Sequence, residues 1–161
     1  MQLISPDKVI RGKNAWRKSL PEIVKISKSP LLLGRSVITR SLRSLISSDL
    51  NEMNLKVIDS ELEYDCCEED LTRIYNFAIE QECDSVITAG GGKVLDAGKL
   101  LAEYLSVPCI TVPLSASTCA GWTALGNIYS KEGKFIKDVK LKSCPKLLVC
   151  DHSFINLAPK K

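Results

Sequence analysis

The sequence predicts an α/β fold: a parallel sheet covered by helices on both faces, with a β-hairpin attached. Three observations carry this. Strand-like and helix-like segments alternate along the 161 residues. The strand segments are apolar throughout, as strands buried on both faces are, whereas half-exposed strands alternate. Three consecutive glycines, Gly90 to Gly92, then join one such strand directly to a helical pattern, the usual junction of a strand–helix–strand unit. With 45% hydrophobic and 25% charged residues, the composition fits one globular domain, residues 1–161, with no repeat, linker or low-complexity segment.

The elements follow in order. "DKVIRG" (7–12) and "PLLLG" (30–34) read as short strands. Ser36 is placed to cap the helical stretch "VITRSLRSLISSDL", in which Val37, Leu42, Leu45, Ile46 and Leu50 recur at helical intervals. "LKVIDS" (55–60) is the next strand. The acidic run from Asp65 to Asp70 leads into "LTRIYNFAIEQEC", where Leu71, Ile74, Tyr75, Ala78 and Ile79 form one apolar stripe. Carboxylates are favourable at a helix start, so the run reads as a solvated helix terminus and not as a binding patch. "DSVITAG" (84–90) is a buried strand, "KVLDAGKLLAEYL" a helix with Val94, Ala97, Gly98, Leu101 and Leu105 on one face, and "VPCITVP" (107–113) the next strand. After the polar loop "LSASTCAG", Leu125–Tyr129 and Lys134–Asp138 read as a hairpin turning through "KEG". "PKLLVC" (145–150) is a last parallel-type strand ending at Asp151.

Charge and composition exclude several functions. Lys and Arg number 22 against 19 Asp and Glu, and the excess is spread along the chain instead of forming a basic stripe, so no nucleic acid partner is expected. The apolar runs are strand-length and the N-terminus lacks a signal-peptide core, which predicts no membrane span and a cytoplasmic location. Seven cysteines without a Cys-x-x-Cys pair suggest neither a disulfide framework nor a zinc knuckle, so most are expected as reduced core residues. His152 is the one histidine, and a His-based catalytic or metal site cannot be assembled from it.

The glycine turn carries the functional signal. Glycine lets backbone amides approach a ligand, and the following helix start supplies N–H donors, so an anion, above all a phosphate, is the expected ligand. Lys93 adds positive charge. Asp96 is placed either to accept from a ligand hydroxyl or to cap the helix. Neither the Gly-x-Gly-x-x-Gly fingerprint nor a Walker A loop is satisfied, because Leu95 stands where the third glycine belongs and Leu100 follows Lys99.

Taken together, "ITAGGGKVLDAGKLLAEYLSVPCITVPLSASTCAGWTALGNIYSKEGKF" and "LLVCDHSFINLAPKK" resemble the nucleotide-binding half of glycerol dehydrogenases and their relatives among the iron-containing, metal-dependent alcohol dehydrogenases. Dehydroquinate synthase, with a triple glycine on a similar domain, is a more distant resemblance. The dehydrogenase resemblance implies a Rossmann-like sheet holding NAD or NADP. It places Gly91, Gly92 and Lys93 at the pyrophosphate, and Ser117, Thr118, Thr123, Leu125 and Tyr129 beside the ribose and nicotinamide.

Three departures bear on activity. Leu114 and Cys119 stand where the family usually has threonine and an aspartate that receives a polyol hydroxyl; Cys119 is therefore the substrate-side candidate, and a thiol is a poor acceptor. Arg35, after the second strand, stands near the family's ribose-binding aspartate, and an arginine there suits a 2′-phosphate, a lean toward NADP(H). The family's metal ligands, an aspartate after the Ala-Pro segment and two histidines of a C-terminal helical domain, have no counterpart before Lys161. A divalent metal (Zn or Fe) and a small alcohol or polyol substrate are thus expected only of a full-length relative. No catalytic or metal residue is assigned here, and the expected behaviour is nucleotide binding with little or no activity, as part of a dehydrogenase or as a stand-alone, degenerate binding protein. An apolar face left open by such a missing domain favours homo-oligomer formation.

Overall fold

The structure, a computed structural model, describes residues 5–35 and 37–157. Along the chain run β1 (Lys8–Gly12), α1 (Ala15–Ile26), β2 (Pro30–Gly34), α2 (Arg40–Glu52), β3 (Ile58–Glu61), α3 (Glu68–Glu80) and β4 (Ser85–Gly90). They are followed by α4 (Gly92–Leu105), β5 (Cys109–Pro113), β6 (Leu125–Tyr129), β7 (Phe135–Lys140), β8 (Leu147–Asp151) and α5 (His152–Asn156). Six strands form one sheet in the order β1-β8-β5-β4-β2-β3, and every neighbouring pair is parallel. β6 and β7 form the separate antiparallel hairpin. The predicted fold class is the observed one.

β2, β4 and β5 are buried at every position, which is why their sequences do not alternate. On one face of the sheet, Trp16 and Ile23 of α1 and Leu42, Ile46 and Leu50 of α2 cover Leu32, Ile87 and Ile110. On the other, Leu71 and Ile74 of α3 and Leu100 and Leu101 of α4 cover Leu31, Leu33 and Val86, with Ile128 of the hairpin. Each such side chain contributes about 1.5–3 kcal/mol by leaving water.

Several local expectations are corrected. The sequence pattern shows no helix between the first two strands, yet α1 forms there with Pro21 inside it, although proline normally marks a helix boundary. The helix is anchored at its start by Asp151, whose carboxylate accepts from Trp16 N at 2.9 Å and from Ser153 N at 2.8 Å, so one side chain caps both α1 and α5. The capping role expected of Ser36 lies outside the described residues; α2 starts at Arg40, after a short 3₁₀ turn over Val37–Thr39. Val37 and Leu45 are exposed because the first lies in that turn and the second lies off the Leu42–Ile46–Leu50 row. Ile79 is exposed for the same reason, off the row of Leu71, Ile74 and Ala78. β3 is shorter than expected and starts at Ile58, since Leu55 N still bonds Leu50 O at the end of α2. Its register pairs Leu31 with Ile58 and Gly34 with Glu61.

The acidic run is not uniformly solvated. Asp65 and Asp70 are buried; Asp70 accepts from Tyr64 N at 2.7 Å and pairs with Arg73 at 2.6 Å. Only Glu68 and Glu69 behave as expected, exposed at the start of α3 and paired with Lys137 and Lys131 of the hairpin.

Helix α4 crosses β4 at a close approach set by Gly98. A Cβ there would lie 2.3 Å from Thr88 Cβ and 2.6 Å from its Oγ1. Gly98→Ala is therefore expected to destabilise the chain by about 1–3 kcal/mol in a urea titration, although alanine is the better helix former by about 1 kcal/mol.

Candidate functional site

The sheet defines where a ligand belongs. β2 is followed by β3 on one side, whereas β4 is followed by β5 on the other, so the strand order reverses between β2 and β4. In open α/β sheets the crevice at the carboxyl ends of such strands is the binding position. At those ends stand Arg35, after β2, and the glycine turn, after β4.

Gly91 is the N-cap of α4, with no side-chain cap and no acidic residue in the first turn. The helix start is thus formed by backbone donors alone, with their positive dipole end facing the crevice. Gly90 and Gly92 have packing reasons to be glycine: a Cβ would lie 2.8 Å from Val94 Cβ and 3.0 Å from Thr118 Oγ1, respectively. Gly91 has none. Its φ of −84° suits any residue, and a Cβ there would meet no atom within 4 Å. The space beside Gly91 is open, so the backbone-held pyrophosphate of a dinucleotide would meet no side chain there.

A cleft of about 380 Å³ opens beside this turn. Gly92, Lys93, Asp96, Ser117, Thr118, Cys119, Thr123, Leu125 and Tyr129, all expected at the site from sequence, line it together with Ala120 and Asn127. Gly91 and Arg35 lie outside that lining. The loop side of the cleft is shaped by short polar contacts. Ser115 Oγ and Ser117 Oγ are 2.7 Å apart, Thr118 Oγ1 accepts from Ala120 N at 3.1 Å, and Cys119 leads into the 3₁₀ turn Ala120–Trp122 with its thiol exposed. Tyr129 forms the far wall, edge-on to Phe135 with ring centroids 6.0 Å apart. The Lys93 ammonium lies 4.3 Å from the Tyr129 ring centre, within cation–π range.

Asp96 is in the second turn of α4 and does not cap it. Its carboxylate is buried, 3.0 Å from Lys99 Nζ, and accepts from the Asn127 backbone. Burial holds its pKa above the ordinary carboxylate value, opposed by the Lys99 charge and these hydrogen bonds. Lys99 is itself only 3% exposed and donates to Thr123 O and Thr123 Oγ1, both at 3.2 Å, and to Leu125 O. This lysine was absent from the sequence candidates; the signal for it was an Asp and a Lys three residues apart in an otherwise apolar helix. Asp65 was also missed. Its side chain accepts from Lys93 at 2.5 Å and lies 3.5 Å from the Arg35 guanidinium.

Another hollow, of about 400 Å³, lies at the opposite end of the sheet around Ser106–Cys109 and Leu141–Lys146. Burial pushes the Cys109 thiol there up to about 12 and raises that of Cys144, so neither is an activated nucleophile. All seven cysteines are free. His152 is exposed and opens α5. Among the described residues, no three His, Cys, Asp or Glu side chains come together to hold a metal ion, and no helix is long and apolar enough to cross a membrane.

Fold and site together define a doubly wound α/β domain with a glycine turn at its switch point. The family profile of iron-containing alcohol dehydrogenases matches residues 6–152. The chain belongs to that family. It is 46% identical over 94 residues to an uncharacterised oxidoreductase of Synechocystis, covering 58% of this chain and 24% of that protein. It is 27% identical over 157 residues to a glycerol dehydrogenase of Escherichia coli, covering 98% of this chain and 43% of the relative. The crystal structure of a probable glycerol dehydrogenase from Sinorhizobium meliloti superposes with a TM-score of 0.86 at 24% identity, over 99% of this chain and 43% of that one. The chain thus spans less than half the length of these relatives.

Proposed function

We propose that the chain binds a nicotinamide dinucleotide, NAD or NADP, as the nucleotide-holding part of an oxidoreductase of small alcohols or polyols. The observation that carries the proposal is the open space above Gly91, where the protein's own packing gives no reason for glycine. The pyrophosphate would lie on Gly91, Gly92 and Lys93. Ser117, Thr118, Thr123, Leu125 and Tyr129 line the neighbouring cleft and would flank the ribose and nicotinamide. A nicotinamide, when bound, supplies the hydride-accepting chemistry. The chain's own residues bind and orient it, and no catalytic step is assigned to them. Family membership and the names of the relatives support the oxidoreductase class.

Cys119, an exposed residue of the cleft lining, would meet the substrate end. Its thiol offers a polyol hydroxyl a much weaker acceptor than a carboxylate, which points away from glycerol itself.

Thermal denaturation with NAD⁺, NADP⁺ and divalent ions tests the reading. A nucleotide at a hundred times its dissociation constant is expected to stabilise the chain by about 2.7 kcal/mol, and Zn²⁺ or Fe²⁺ alone to leave the midpoint unmoved. An unchanged midpoint with both nucleotides would remove the proposal.

A further inference from the structure

The two cations expected to meet the dinucleotide are not independent. Arg35 comes from the end of β2 and Lys93 from the first turn of α4, yet both converge on one oxygen of Asp65, at 3.5 Å and 2.5 Å. The Asp65 side chain is 3% exposed, whereas those of Arg35 and Lys93 are each 38% exposed. The other Asp65 oxygen accepts from Cys66 N at 2.8 Å, which fixes the carboxylate in place. The cluster therefore presents two cationic heads to the crevice above a fixed, buried anion, and its net charge is +1 instead of +2.

We infer that Asp65 is a specificity-determining residue that sets the choice between NAD and NADP by offsetting Arg35. The inference rests on the dinucleotide reading above. An arginine at the end of β2 would by itself favour the 2′-phosphate of NADP. Asp65 opposes it, because a 2′-phosphate brings about −1.5 to −2 charges into the field of a buried carboxylate as well as that of the guanidinium. A 2′-hydroxyl brings none, so the charge of this cluster bears far more on NADP than on NAD. Lys93 serves both cofactors alike through the shared pyrophosphate. Asp65 is not itself a lining residue of the cleft; it meets that lining through Lys93 and acts on the 2′ position through Arg35.

The test is a charge cycle read as a ratio of dissociation constants, Kd(NAD⁺)/Kd(NADP⁺), by calorimetric titration of the chain. Asp65→Asn keeps an acceptor for Cys66 N and removes the charge; it is expected to raise the ratio about tenfold, the size of one charge at short range under partial screening. Arg35→Met, on a partly exposed side chain, is expected to lower it about tenfold. The double variant returns it to within about threefold of the parent, since the two charges cancel. A loss of packing alone would weaken both nucleotides together and leave the ratio fixed. A ratio within twofold of the parent in the Asp65 variant overturns the role of Asp65, whatever Arg35→Met shows, while leaving dinucleotide binding standing. Should Asp65→Asn fail to fold, Asp65→Ser takes its place, because it too removes the charge and keeps an oxygen acceptor near Cys66 N. If the parent chain binds neither nucleotide, the dinucleotide reading falls, and this inference with it.

Discussion

Lys99→Met is expected to destabilise the chain by about 3–5 kcal/mol in urea or thermal unfolding, the usual effect of removing one member of a buried pair. Lys99 has almost no contact with solvent, and its ammonium holds together three things: the Asp96 carboxylate, the Thr123 carbonyl and hydroxyl, and the Leu125 carbonyl. Methionine fills the volume of the stem and satisfies none of them. Asp96 would keep only the Asn127 backbone bond, and the carbonyls that aim the loop toward the cleft would lose their donor. Replacing both partners, as in Lys99→Met with Asp96→Leu, is expected to recover part of the loss, because a buried charge is then no longer stranded. Dinucleotide affinity in the single variant should fall as well, since Thr123 and Leu125 line the cleft.

The pH dependence of that loss has a definite sign. Burial holds Asp96 above its ordinary 3.8 in the folded chain. A group so raised contributes stability that is complete below its unfolded value and lost as pH climbs through the folded one. Lys99 works against the raising, so its removal lifts Asp96 further and widens that window upward. The deficit of Lys99→Met relative to the parent is therefore largest near neutral pH and narrows below about pH 4, where the acid is protonated in both. A deficit independent of pH would show that Lys99 acts only through its bonds to Thr123 and Leu125.

What could be read from the sequence divides along the distance over which the information lies. The β4–turn–α4 unit was legible because its signals are contiguous: an apolar run, three glycines and a helical pattern. The residues after it, Ser117 to Tyr129, could be placed at one site by the family resemblance, and they do line one cleft. Helix α1 was hidden by Pro21, since a local breaker outweighs a stripe of only Trp16, Ser19 and Ile23 until tertiary packing is known. Asp65 was misread as a solvated acid because nothing near it in sequence shows burial. Its partners lie 30 and 28 residues away and meet it only through the order β4-β2-β3, which periodicity does not encode. Lys99 differs: its partner Asp96 is local, and an acid and a base one helical turn apart among Val94, Leu95, Ala97, Leu100 and Leu101 already mark a buried pair.

Gly91→Val is expected to weaken dinucleotide binding by about a hundredfold and Gly91→Ala by about tenfold, while neither unfolds the chain. Two charge-assisted hydrogen bonds from the helix start to a pyrophosphate are each worth about 1.5–3 kcal/mol, and each 1.4 kcal/mol is about tenfold in affinity. A branched side chain projecting into the cradle would hold the phosphates away from those donors. Stability should hardly respond, because a Cβ at Gly91 meets nothing within 4 Å and its φ is ordinary; the poorer N-cap costs about 0.5 kcal/mol. Gly98→Ala supplies the contrast, since its Cβ collides with Thr88 and its effect should fall on stability first. One glycine on α4 would then answer to the ligand and the other to the sheet. Unchanged affinity for both NAD⁺ and NADP⁺ in Gly91→Val would place the phosphates elsewhere in the crevice.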